Sequence, residues 1–511
     1  MACNGCSGLT IALIGAGLLS CGPAAAVRIN ADGHGQALIY PYYTARSTVS
    51  GNALVTAVSV SNITAQPKAL KVRILEAKAG AEVFGFNLFL DAYDMWTGGI
   101  VATGAGAGLF TQDTSCTSPA IGRTSAAPSP FSAAAYAGDL LGEGPDRTLE
   151  GYIEILEMAV IDSGPLVQAV THVSDLTSPN ASKPPCTNLP VTDAAPAGLS
   201  RPTGGLLGNV SYLNINEGTD YSVDATALAQ WSNRVQWSGP GNAHPNLADT
   251  FPPVSFVADS TAGGDAGYLT TWTSGRDAIS ALFVADQLIN DFAIEAAVKG
   301  ATDWVLSLPT KRFYVDRLHA ESPFEPRAIA ATTAQYACQP LGAQNFCDGT
   351  AFPIADREGQ RYDFQSSYTC TPTFTNLCAA VGGLRFGMYG GAPIPNRGSV
   401  LPMQSVFVQP TDVVPGFPST GWLEMRTAAP GSGQSPAGPL LAAPHGATTI
   451  VNARTGAVTT GATVTYHGLP IIGFAVQSYN TTGLPGVSAG VLSNYGGQFN
   501  HKVRRRIEVA P

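Results

Sequence analysis

Three runs between Gly35 and Ala102 alternate apolar and other residues with a period of two. Leu54, Thr56, Val58 and Val60 alternate with Val55, Ala57, Ser59 and Ser61. Leu70, Val72 and Ile74 alternate with Lys71, Arg73 and Leu75, and Phe84, Phe86, Leu88 and Leu90 with Gly85, Asn87, Phe89 and Asp91. A strand turns successive side chains to opposite faces, so each run is expected to bury one set and give the other to water. Three such runs between turn residues predict an antiparallel sheet whose apolar face needs a second sheet over it. The expected fold class is mainly β: two or three antiparallel β-sandwich (immunoglobulin-like) domains with one notable helix near 277–299.

That helix is read from residues 277–299, which hold no Gly or Pro and place Ile279, Leu282, Phe283, Ile289 and Phe292 near one face. Ser274 or Asp277 would cap its start, and Gly300, after Lys299, its end. Residues 302–308 alternate again and stop at Pro309, which cannot donate to a ladder. Residues 151–161 read as strand, residues 208–229 as a hairpin turning at Asn-Glu-Gly, and 405–408, 448–452, 463–466 and 471–479 as short strands. Residues 117–147 and 174–205 read as long loops and 428–446 as a flexible tract. The resulting division is a signal peptide over 1–26, an N-terminal sandwich with a loop insertion over 27–173, a second β-rich region over 174–330 and a third over 331–511.

Composition bears on location. Hydrophobic residues make up 45% and charged residues 12%, about half the usual globular share, which suits an extracellular protein better than a cytosolic one. A net charge of −9 argues against nucleic acid as a partner. The basic cluster Lys502, Arg504, Arg505 and Arg506 reads as a solvated strand or tail. Residues 9–19 are an apolar run of signal-peptide length, followed by Ala24, Ala25 and Ala26, so processing is expected before Val27. No Lys or Arg precedes the run, and Leu18-Leu19-Ser20-Cys21 offers lipidation of Cys21 as the alternative. The expected location is the cell surface or the medium, with periplasm or a lipid-anchored outer membrane as alternatives. No later stretch is apolar enough for a transmembrane helix.

Three of the nine cysteines, Cys3, Cys6 and Cys21, fall in the leader; the other six are Cys116, Cys186, Cys338, Cys347, Cys370 and Cys378. An even number in an exported chain points to disulfides, and the gaps do not have zinc-knuckle spacing. Short Gly- or Pro-containing gaps favour Cys338 with Cys347 and Cys370 with Cys378, which leaves Cys116 with Cys186. The nested alternative joins Cys338 to Cys378 and Cys347 to Cys370.

The segments GQALIYPYYTAR, ALKVRILEAKAGAEVFGFNLFLDAYDMWT, TDWVLSLPTKRFYVD and GLPIIGFAVQSY together resemble a family of exported bacterial proteins described only as cell surface proteins. The resemblance implies a Gram-negative-type exported protein and carries no catalytic residues with it. Around residues 58–74 the strand, Asn-turn, strand order is similar to the first domain of periplasmic pilus chaperones, as in many immunoglobulin-like sandwiches.

Gly486-Val487-Ser488-Ala489-Gly490 matches a nucleophile-elbow pattern, but Gly496-Gly497 breaks the helix it needs and no acid lies between Ser488 and His501. His34, His172, His244, His319, His445, His467 and His501 are scattered. Glu154 and Glu157 would point to opposite faces of a strand, which leaves them, with Asp162, unpaired as glycosidase carboxylates. Asn214, Asn216, Asp220 and Asp224 read as a polar hairpin rim rather than a calcium loop. Trp96, Trp231, Trp237, Trp272, Trp304 and Trp422 read mostly as core anchors. No catalytic residue, cofactor or metal is expected. The expected function is that of an exported structural or adhesive surface protein, partnered by further copies, other surface proteins or a glycan. A secreted glycan-binding module and a secreted hydrolase are the alternatives.

Overall fold

The computed structural model describes residues 26–48, 51, 53–175, 178–259, 266–295, 298–316, 318–324, 339–340, 354–358, 361–362, 376–386, 400–404, 406–408, 419–427, 439–452, 455–480, 486 and 494–510. The chain is mostly β, with 52% in strands and 8% helical, arranged in several antiparallel sheets. The first sandwich is built from β1 (Ala37–Thr44), β2 (Val55–Asn62), β3 (Lys68–Glu76), β4 (Glu82–Leu90), β5 (Met95–Thr103), β6 (Gly106–Phe110), β7 (Cys116–Ser118), β8 (Glu150–Ile161), β9 (Asn209–Asn214), β10 (Thr219–Asp224) and β11 (Thr226–Ala229). One sheet runs β11-β1-β8-β3-β4-β7 and the other β10-β9-β2-β5-β6. Between them lie Leu38, Tyr40, Val58, Val60, Leu70, Val72, Phe86, Leu88 and Trp96.

The three alternating runs do not share one sheet. The β2 run lies in one sheet and the β3 and β4 runs in the other. Asn62 makes the crossing: its buried amide donates to the carbonyls of Gln66 and Asp91, both at 2.8 Å, and its oxygen accepts from Thr64. An amide that satisfies three backbone groups at a corner turns the chain over the core edge instead of back along the same sheet. The sandwich also runs past the expected limit at residue 173. Strand β9 pairs with β2, and β11 with β1, so the hairpin at 209–224 completes the sheets begun before it.

Beyond it come α2 (Gly275–Phe283; α1 is Pro165–Val170), β12 (Gln287–Ala293), β13 (Ala301–Ser307), β14 (Val381–Phe386), β15 (Thr420–Arg426), β16 (Ile472–Asn480) and β17 (Asn494–Asn500). In the sheet β14-β13-β16-β17 the central strands β13 and β16 are covered on both faces, while β17 at the edge is largely exposed. Val305, Phe474 and Val476 join the core of the first sandwich, while Trp304, Leu306 and Ala475 pack against Leu288, Phe292, Leu423 and Met425 of β12 and β15.

The helix expected over 277–299 is corrected. Ser274 does cap it, its hydroxyl accepting from the Asp277 N–H, but α2 ends at Phe283. Val284 and Ala285 pair with Leu469 and Pro470, and β12 pairs with β15 along all seven residues. In β12 Leu288, Asn290 and Phe292 are buried with a period of two, and Ala293 at the strand end is buried as well. Backbone partners on both sides of β12 outweigh a helix preference of a few tenths of a kcal/mol per residue, at about 0.7 at most.

Candidate functional site

Strand β3, KALKVRILE, is buried at all nine positions, including Lys68, Lys71, Arg73 and Glu76. The expectation that Lys71 and Arg73 face water is therefore overturned. A buried charge is tolerated only when paired or hydrogen-bonded, and each of these is. Lys68 Nζ donates to Glu157 Oε1 at 2.6 Å, and Glu157 also accepts from the Thr203 and Gly204 N–H groups at 3.0 and 2.7 Å. Glu76 takes Arg147 through both oxygens at 3.1 and 3.0 Å, and Arg147 reaches on to Asp139 at 3.0 Å and lies over the Tyr136 ring. Glu154 accepts both bonds from Arg312, at 3.0 and 2.9 Å. Glu154 and Glu157 thus serve different cations, as their opposite faces require.

The outer face of β3 and β4 is covered by residues 230–249. Lys71 Nζ donates to the carbonyls of Gly239 and Pro240 at 2.7 and 3.1 Å. Arg73 donates to the carbonyls of Ala243 and Pro245, and Asn87 to that of Ser238 at 2.9 Å. Burial lowers the Lys71 pKa to about 8, and burial followed by neighbouring Arg312 lowers that of Arg73. Gln236 N–H donates to the Met158 carbonyl at 2.9 Å, and buried Trp231 donates to the Leu247 carbonyl at 3.2 Å. The loop is thereby pinned by side chains of a sheet far away in sequence.

Two shallow clefts flank this pinned loop. The first, about 430 Å³, is lined by Arg73, Glu82, Asp139, Arg312 and Phe313. Its charges are each paired: Arg73 meets Glu82 at 2.5 Å, Asp139 meets Arg147 and Arg312 meets Glu154, and burial pushes the Glu82 carboxyl up. The second, about 400 Å³, is lined by Arg234, Gln236, Trp237, His244 and Asp249. There His244 Nδ1 lies 2.7 Å from Asp249 Oδ2, which also accepts from the Asn246 N–H at 2.7 Å.

Cys116 and Cys186 are joined as expected, with a Cα–Cα distance of 5.3 Å, but Cys116 lies in the edge strand β7 and not in a loop, so the bond staples one irregular segment, that of Cys186, to the sheet. Cys378 is disulfide-bonded, while Cys338, Cys347 and Cys370 lie outside the described residues. So do residues 487–490 of the nucleophile-elbow pattern. Trp96, Trp231, Trp272 and Trp304 are buried core anchors; Trp237 and Trp422 are half-buried. His501 is buried, its Nε2 3.1 Å from the Val305 carbonyl and its Nδ1 3.1 Å from Asn290, and burial lowers its pKa to about 4. His172, His244, His319 and His467 each face one carboxylate, those of Asp91, Asp249, Asp316 and Glu508. Among the described residues no three His, Cys, Asp or Glu side chains come together as a metal set. Asn214 is buried and accepts from the Glu217 N–H at 3.1 Å, closing the hairpin turn, while Asp220 and Asp224 are exposed. The cleft residues 234–249 were not singled out as a group from the sequence, beyond Trp237 and His244; their signal is a local run of Arg, Gln, Trp, His and Asp without motif spacing.

Among the described residues no helix is long and apolar enough to cross a membrane. No family model matches the chain, and neither a curated protein nor a solved structure matches it.

Proposed function

We propose that this is an exported cell-surface protein that works by assembling with further copies of itself. The observation that carries the reading is strand β17, NYGGQFN. It pairs with β16 on one side and with no second strand among the described residues. It has no charge and no proline, the usual guards of a sheet edge. Tyr495 and Phe499 are 65% and 46% exposed, and Tyr495 stands opposite Tyr479 on the neighbouring strand. The strand reads nearly the same in both directions about Gly497. A second copy laid antiparallel about a two-fold axis there would set Tyr495 opposite Phe499 and Asn494 opposite Asn500. That pairing adds backbone hydrogen bonds and two aromatic cross-strand contacts. The low charge, the apolar leader and the Cys116–Cys186 bond support export of such a protein.

The test is sedimentation of the secreted chain over a range of concentrations, with its N-terminus sequenced. The expected result is a start near Val27 and reversible association that Tyr495→Lys with Phe499→Lys abolishes without loss of fold. A protein that stays monomeric at every concentration, or one kept in the cytosol with Met1 intact, would overturn the reading.

A further inference from the structure

The cleft at residues 234–249 holds polar groups whose valences the fold leaves open. The Arg234 guanidinium carbon sits over the Phe251 ring, 4.0 Å from its centroid, and the residue is exposed. Among the described residues it makes no ion pair. The ring contact holds the guanidinium at the cleft, and a guanidinium fork suits a carboxylate. Gln236 Nε2 donates to the Asp249 carbonyl at 2.8 Å and to Ser232 Oγ at 3.2 Å. Both bonds use the amide nitrogen, which leaves the amide oxygen as a free acceptor among the described residues. His244 is held through Nδ1 by Asp249, and Nε2 is its open nitrogen. Trp237 donates its indole N–H to the Thr192 carbonyl at 3.1 Å and packs against Phe89, with centroids 6.3 Å apart. It is therefore a fixed, half-buried ring in the cleft wall.

We infer that this cleft is a binding site for an acidic saccharide of the uronic-acid type. Arg234 takes the carboxylate, Gln236 Oε1 and His244 Nε2 take ring hydroxyls, and Trp237 takes the apolar face of the sugar ring. A single unpaired cation beside Asp249 suits one carboxylate better than a phosphate chain. The volume of about 400 Å³ is at the small end of ligand pockets, ~300–1,000 Å³, and fits a terminal residue or a short segment. The inference does not use the β17 edge, so the two proposals stand or fall separately.

Calorimetric titration of the secreted chain with galacturonate oligomers, against neutral glucose oligomers of equal length, tests it. The expected result is binding of the acidic series at least about tenfold tighter. Arg234→Gln should remove that preference while keeping the melting temperature, because Arg234 is exposed. Trp237→Phe should weaken both series, and the Tyr495→Lys, Phe499→Lys variant should bind as the parent does. Equal affinity for acidic and neutral oligomers, no binding of either, or an acid preference that survives Arg234→Gln would each overturn the assignment.

Discussion

Strands β3 and β17 invert the usual relation between polarity and burial. KALKVRILE carries four charged side chains and is buried throughout; NYGGQFN carries no charged side chain and leaves Tyr495 and Phe499 exposed. The difference lies in what the rest of the chain supplies. Strand β3 is met by the carbonyls of the 230–249 loop, by Glu157 from β8 and by Arg147, so each charge finds partners. Strand β17 has β16 as its one paired strand among the described residues; its other partners are the Tyr221 ring against Gly496, the Asn290 amide on the Phe499 carbonyl at 3.1 Å and the Glu217 carbonyl on Asn494. Charge marks burial here because long cationic side chains can reach carbonyls across a covered sheet, whereas the uncharged strand lies at a sheet edge.

The comparison breaks hardest at the Lys68–Glu157 pair, both of whose side chains are fully buried. Glu157→Ala leaves an unpaired ammonium inside the protein and frees the Thr203 and Gly204 N–H groups. Its expected cost is about 3–5 kcal/mol by urea denaturation. Lys68→Met with Glu157→Leu should recover most of that loss. If Glu157→Ala were neutral, β3 would be water-accessible as its alternation first suggests. Reduction of Cys116–Cys186 acts on the same sandwich through the unfolded chain. With a sequence separation of 70, loss of the cross-link is expected to cost about 4 kcal/mol, read as the difference between oxidised protein and the Cys116→Ala, Cys186→Ala variant.

Acid and base probe the two strands from opposite ends of the pH range. His501, next to β17, has its pKa lowered to about 4 from 6.5, and Lys71 in β3 to about 8 from 10.5. In both, the folded state releases its proton more readily than the unfolded chain. Stability is then fully present above the unfolded value and is lost as pH falls through the folded one. From pH 6.5 to 4 the His501 contribution amounts to about 3 kcal/mol, and His501→Gln should flatten that limb of the urea midpoint curve. From pH 8 to 10.5 the Lys71 contribution should raise the midpoint, a rise absent in Lys71→Met.

How far the residues announced this structure depends on how far away their partners lie. The strands at 55–62, 68–76, 82–90, 150–161 and 472–480 and the Ser274 cap follow from local pattern, because pleat and cap are local physics. The end of α2 does not, since β12 is decided by strands β15 and Lys502–Arg504, more than a hundred residues on. The burial of Lys71 rests on a carbonyl 168 residues later, which no window along β3 contains. The cleft is equally silent: Arg234 gains its role only by lying on Phe251, and Gln236 by turning its amide nitrogen toward Ser232 and Asp249.

The mildest change to the fold should come from β17, and that sharpens the contrast. Tyr495 and Phe499 lie on the face away from Tyr221, which packs against Gly496. Phe499→Lys in isolated protein should alter stability by no more than about 0.5 kcal/mol, as for an exposed site without buried partners. Gly496→Val is the internal control. Its side chain would collide with the Tyr221 ring, so it should destabilise the sheet as Phe499→Lys does not. Thermal unfolding of dilute monomer separates the two. Should Phe499→Lys unfold the protein as Gly496→Val does, the outward face of β17 would belong to the core, and the strand would no longer stand as the open counterpart of β3.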